Sequence, residues 1–125
     1  MNELKTFKRL LSNGPLTAMP RRPQDQVLIA RLAGSRFRAD KAYTEADVNE
    51  TLKDWLAAFS APYGIDHVTL RRFMVDMQVL VRDRSGSTYH LNPARVEGID
   101  GSLDPARVLA QASAEREARR KRHVH

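Results

Sequence analysis

The chain has 125 residues, 42% hydrophobic and 29% charged, with 21 Lys and Arg against 15 Asp and Glu for a formal charge of +6. That length suits one ordinary domain with a tail and excludes two, and it holds a core without staples by burying roughly two-thirds of the unfolded surface. The absence of cysteine excludes a disulfide framework, a thiolate zinc site and a cysteine nucleophile. Apolar runs of four or five residues fall far short of the roughly 20 that span a bilayer. No charged-then-apolar leader opens the chain, so a soluble cytoplasmic protein is the expectation.

Residues 1–12 read as a short helix, because Leu4, Phe7, Leu10 and Leu11 make one apolar stripe. A basic amphipathic helix this short is expected to dock on the domain or on a partner rather than on a membrane. Ser12-Asn13-Gly14-Pro15 stops it, and a linker with Pro15, Pro20 and Pro23 follows. Pro23 opens a second helix, since the first turn tolerates proline. Val27, Leu28, Ile29 and Leu32 are its expected apolar side, and Gly34-Ser35 its end. Phe37 anchors a basic connector over residues 36–41.

Thr44 is a good N-cap, and Asp47 three residues later comes close to a capping box. Val48, Leu52, Trp55, Leu56 and Phe59 then share one face of a helix of about four turns. Ser60-Ala61-Pro62-Tyr63-Gly64 breaks it, and Asp66 caps another helix through Met77, with Leu70, Phe73, Met74 and Met77 inward. A hairpin follows, from Val79-Leu80-Val81 through Asp83-Arg84-Ser85-Gly86-Ser87 to Thr88-Tyr89-His90-Leu91. After Asn92-Pro93 a linker leads to Asp104-Pro105, which starts a last helix. Its apolar residues stop near Ala112, so the remainder is expected to project and fray.

This order predicts a mainly α protein with a small β hairpin: a winged helix-turn-helix-like domain with flanking N- and C-terminal helices. Ala42-Tyr43 supplies a short first strand beside the wing. The expected parts are residues 1–18, an amphipathic helix and linker; 19–93, the winged-helix-like domain; and 94–125, a linker and basic C-terminal helix. The turn between Phe59 and Asp66 is longer than the three or four residues usual in this motif.

Residues 1–105 hold 15 basic and 13 acidic residues, whereas residues 106–125 hold six and two. The excess therefore concentrates in the tail, largely in Arg119, Arg120, Lys121 and Arg122. Such a tail suits a polyanion, either nucleic acid (duplex DNA foremost) or an acidic protein surface; it equally suits a solvated helix end. On the helix after Asp66, Thr69, Arg71 and Arg72 approach the outer face. Arginine forks onto guanine edges or phosphates, and threonine donates to phosphate. Val68 and Val75 beside them fit a protein contact as well, and Asp76 repels phosphate. Arg82 and Arg84 on the hairpin read as a wing gripping phosphates, or as an edge kept soluble by charge.

His67, His90, His123 and His125 lack metal-ligand spacing, and no nucleophile elbow, Walker loop or dinucleotide fingerprint occurs. Glu45 and Asp47 sit at a helix start, where they satisfy its dipole. No catalytic residue, no cofactor and no metal is assigned. Most of the aromatic residues take core positions, which leaves a stacking platform for single strands unsupported.

Tyr43-Thr44-Glu45-x-x-Val48-Asn49-x-x-Leu52, followed by Asp66-His67-x-Thr69-Leu70-Arg71-Arg72-x-x-Val75-Asp76, closely resembles a small bacterial domain of unknown function, the family numbered 2087. Pro20-Arg21-Arg22 and the Arg82-Asp83 to Tyr89 hairpin fit its ends, so the resemblance spans about residues 19–91. Members of that family occur alone or joined to winged-helix transcriptional regulators, which implies a regulatory association and no known reaction. Residues 57–64 exceed the family's usual joint, and the terminal helices are additions. Because the family has no assigned activity, Asn49, Asp66, Arg71 and Arg72 inherit no role. Their structural reading has Asp66 as a cap, and Arg71 or Arg72 paired with Glu50 or Asp54.

With no separate DNA-reading domain in this sequence, binding is expected to fall to this domain, its extensions or a partner. The expected function is a non-enzymatic regulatory module that binds nucleic acid through the helix after Asp66, the wing and the basic tail. The alternative is a protein-interaction adaptor, docking through Leu4, Phe7, Leu11 or the Val68/Val75 face. A homodimer is compatible with either; a membrane partner is not expected.

Overall fold

The computed structural model describes residues 3–122. Five helices, α1 (Glu3–Leu10), α2 (Pro23–Gly34), α3 (Glu45–Ala57), α4 (His67–Asp76) and α5 (Pro105–Arg122), surround three short strands, β1 (Ala42–Thr44), β2 (Leu80–Arg82) and β3 (Thr88–Leu91). The strands form one antiparallel sheet in the order β1-β3-β2. Tyr89, buried on the central strand, stands opposite Tyr43 on one side and Arg82 on the other. Among the described residues no helix is long and apolar enough to cross a membrane.

Local chemistry sets most boundaries. The Thr44 hydroxyl accepts from the Asp47 amide at 3.1 Å, and the Asp47 carboxylate accepts from the Thr44 amide at the same distance. The capping box thereby satisfies two amides at the start of α3, and hydrogen bonding to Thr44 holds the Asp47 carboxyl below its ordinary range. Pro23 sits at the first turn of α2. At the other end, a Cβ on Gly34 would meet Val79 and Val96 side chains at 2.7 Å, so only glycine lets α2 lie this close to them.

Asp25, Leu28, Ile29, Ala30, Leu32, Ala33 and Gly34 are the buried residues of α2, and Asp25, Leu28, Ile29, Leu32 and Ala33 among them follow the i, i+3, i+4, i+7, i+8 repeat of a helix. Val27, expected on that side, falls off the stripe and is 42% exposed. Asp25, at the head of the stripe, is only 3% exposed. Its carboxylate accepts from Arg9 of α1 at 2.9 Å. A buried carboxylate is tolerated only when paired, and the pairing fastens α1 to α2.

Phe7 and Leu11 are fully buried, and Phe7 packs edge-on against Phe59 with ring centroids 5.2 Å apart. Phe59 in turn meets Trp55 at 4.6 Å. The N-terminal helix is therefore docked on the domain, which removes Phe7 and Leu11 from the surfaces that the adaptor alternative offered to a partner. The long turn after α3 has a local cause. Leu16 donates to the Phe59 carbonyl at 3.0 Å and accepts from the Ala61 amide at 2.8 Å, so the turn carries a bridge to the N-terminal linker.

Beyond β3 the chain forms a short 3-10 turn, Pro93–Arg95, and crosses α2. Arg31 donates to the Arg95 carbonyl at 3.0 Å and to the Glu97 carbonyl, and Arg36 donates to the Gly101 carbonyl. Val108 and Ala112 then bury α5 against the core. Leu4 shares a cleft with Asp104 and Val108, Lys8 pairs with Glu115, and the Ser12 carbonyl accepts from Arg116. Because these pairings advance together along both segments, α1 and α5 run parallel. Contrary to the expected fraying after Ala112, α5 stays helical to Arg122.

Candidate nucleic-acid interface

Helix α4 starts at Asp66, whose carboxylate accepts from the Thr69 amide and hydroxyl, each at 3.2 Å. Partial burial works to raise the Asp66 carboxyl, but these bonds outweigh it and leave it below its ordinary value. Thr69 is exposed, yet its hydroxyl is engaged in the cap. The outward residues Asp66, Thr69, Arg72 and Asp76 carry two negative charges and one positive. Val68 and Val75 are half-buried, and Val75 packs against the core.

Arg71 turns the other way. Its guanidinium donates to the Asn49 side-chain oxygen and lies 3.6 Å from Glu45, leaving the side chain 15% exposed. Glu45 also accepts from the Tyr89 hydroxyl at 3.1 Å. Burial, followed by that hydrogen bond, pushes the Tyr89 hydroxyl above its ordinary value. Arg71 thus locks α4 to α3 and, through Glu45, to β3. The expected pairing with Glu50 or Asp54 is corrected to Asn49 and Glu45, which lie nearer the start of α3. Asn49 stood in the sequence motif without a role; it is an acceptor for this arginine.

The hairpin tip is organised around Asp83. Its carboxylate accepts from the Thr88 hydroxyl at 2.7 Å, the Thr88 amide at 3.2 Å, the Ser85 hydroxyl at 3.0 Å and the Ser87 amide at 3.0 Å. These bonds, led by Thr88, lower the Asp83 carboxyl to about 2. Arg82 donates to the Gly86 carbonyl at 3.2 Å and lies 5.7 Å from the Tyr89 ring centroid, the geometry of a cation–π contact. Arg84 stands exposed in the turn beyond the end of β2.

The basic tail belongs with α1. Arg119 lines a cleft with Lys5, Lys8, Arg9, Ser12 and Glu115. Within it Lys8 binds Glu115 at 2.9 Å, and farther along Arg120 binds Glu117 at 3.2 Å. Helix α1 has three basic residues and one acidic, and α5 has six and two. Residues 11–104 hold twelve of each. The whole +6 of the chain therefore sits on two helices that pack together. The sequence placed most of that excess in the tail and gave Lys5, Lys8 and Arg9 no part in it; their i, i+3, i+4 spacing on the helix opposite the apolar stripe was the available signal.

No group of three or more His, Cys, Asp or Glu side chains among the described residues is arranged to hold a metal ion. His67 lies 3.7 Å from the Asp66 carboxylate, and His123 and His125 fall outside the described residues.

The fold and these surfaces define a small, mainly helical domain with a three-stranded antiparallel sheet. The family model described as an uncharacterized protein conserved in bacteria (DUF2087) matches residues 15–91, more than half of the chain, and the protein belongs to that family. The match runs from the linker before α2 to the end of β3, so α1 and α5 lie outside it. No curated protein and no solved structure gives a significant match.

Proposed function

We propose that this protein is a non-enzymatic, cytoplasmic regulatory module that binds nucleic acid, duplex DNA foremost, chiefly through its phosphates. The observation that carries the reading is the connectivity α2–β1–α3–α4–β2–β3 with strands ordered β1-β3-β2. That is the element order of a winged helix-turn-helix, with α4 as the recognition helix and the β2–β3 hairpin as the wing. In this reading Arg72 and Thr69 face the duplex from α4, Arg84 and the partly engaged Arg82 from the wing, and Arg119, Arg120, Lys121 and Arg122 from α5. Arg71 is structural. The outward face of α4, with Asp66 and Asp76 flanking Arg72, disfavours dense base reading, so sequence preference should be modest and salt dependence strong.

Gel-shift titrations of the full chain on duplex DNA, single-stranded DNA and RNA over a salt series test this. The expected result is duplex binding at low salt that weakens steeply as salt rises. Absence of binding to every nucleic acid at low salt refutes the proposal and returns the adaptor alternative, with Leu4 and the Val68/Val75 face as its remaining surfaces.

A further inference from the structure

The +6 that residues 11–104 do not carry lies on α1 and α5, and the packing of these helices fixes how it is presented. Along α5 the buried positions Pro105, Val108 and Ala112 continue at helical spacing into Glu115, Arg116 and Arg119, so the seam against α1 changes from apolar to charged, with two cations to one carboxylate on the α5 side. At that change Arg116 reaches the Ser12 carbonyl at 3.4 Å, and Arg119 enters the cleft beside Lys5 and Lys8.

We infer that α1 and α5 form one composite surface for the phosphate backbone of duplex DNA, with Lys5 and Lys8 contributing beside Arg116 and Arg119. This rests on the nucleic-acid reading above and assigns its main electrostatic contact to helices outside the family match.

Charge complementarity supplies the partner, since a duplex presents a dense, regular line of negative charge. A bilayer fits poorly. An interfacial helix needs a free apolar face, and the stripe of α1 is already occupied, with Phe7 and Leu11 fully buried. The surface is also pre-organised. The pairing of Arg9 with the buried Asp25 and the Phe7–Phe59 contact hold α1 in place, so the helix that carries these cations need not be ordered on binding. Glu115 and Glu117 keep Lys8 and Arg120 in defined positions at 2.9 and 3.2 Å, while the sum over both helices stays strongly positive.

Duplex binding by the full chain over a salt series, with Lys5→Gln, Arg119→Gln, their double variant and the pair Arg72→Gln/Arg84→Gln, tests the inference. Glutamine matches lysine and arginine in helix propensity, and unchanged thermal melting confirms folding of each variant. Every cation removed from a phosphate should flatten the log-log salt slope by about 0.9. Lys5→Gln and Arg119→Gln should each do so, and the double variant should flatten it by about 1.8 by the same rule. An unchanged slope in Lys5→Gln overturns the composite surface. If only Arg72→Gln/Arg84→Gln flattens the slope, the inference fails while the nucleic-acid reading stands. If wild type binds polyglutamate or anionic vesicles but no duplex, both fail.

Discussion

Residues 11–104 and the α1–α5 pair use charge in opposite ways. In the first region cations and carboxylates are equal in number, and many are committed to architecture. Asp47 and Asp66 cap helices, Asp83 builds the hairpin tip, Arg31 and Arg36 hold the linker, and Arg71 joins α4 to α3. In the second, cations outnumber carboxylates nine to three on two helices of which only one face is buried. Balanced, locally bonded charge builds a fold; an excess of one sign on an outward surface raises a field that a partner of opposite sign can answer. Arg71 and Arg72 show the distinction at neighbouring positions, one bonded inward and one turned to solvent.

The largest expected effect lies in the core that both regions share. Trp55 is 7% exposed and stacks edge-on with Phe59, which also contacts Phe7. Trp55→Ala should cost about 3–5 kcal/mol by denaturant unfolding, and α1 should loosen with it. A loss well below that would mean that the helix pair is anchored independently of α3.

Arg71 gives the next effect and separates the two uses of charge. Arg71→Ala leaves Asn49 without its donor and Glu45 without its neighbouring cation and should cost about 1–3 kcal/mol, with the salt slope of DNA binding unchanged in the folded variant. Should Arg71→Ala keep full stability and instead flatten the slope by about 0.9, the value for one phosphate, the division proposed for the central region breaks.

Asp83 supplies a smaller, pH-dependent effect. Its carboxyl is lowered from 3.8 to about 2 in the fold, so the folded state favours the ionised form. Its contribution is complete above about pH 4 and is lost as pH falls from there through about 2. Amide shifts of residues 83–88 followed by NMR should report this acid loosening of the tip, and Asp83→Asn should remove that titration. A tip that titrates identically in Asp83→Asn would place its stability elsewhere.

Much of this fold is legible because the signals are local. Thr44 with Asp47, Asp66 with Thr69, Pro23 at a first turn and the Val48-Leu52-Trp55 stripe each act within about four residues of chain, and each element forms where those signals lie. The pairing of Ala42 and Tyr43 with the hairpin follows from the element order. Long-range choices are less legible. Asp25 occupies an apolar stripe position only because Arg9 reaches it from another helix, and reading that stripe as apolar alone moved Val27 inward. Arg71 and Arg72 are both arginines on one turn; which one folds in depends on Asn49 and Glu45, 22 and 26 residues earlier. The basic tail was visible, but its union with Lys5 and Lys8 depends on two chain ends meeting, which no local pattern encodes.

Chemical-shift mapping of the full chain with a short duplex tests the central claim most directly, because it shows which of the two regions meets the partner. The account predicts that at low salt the strongest amide perturbations cluster in α1 and residues 116–122, with weaker ones at the hairpin tip and around Arg72 on α4, and with the amides of buried Val48, Leu52 and Met74 unmoved. Perturbations confined to the Asp66, Arg72 and Asp76 face of α4, with α1 and α5 silent, would contradict it.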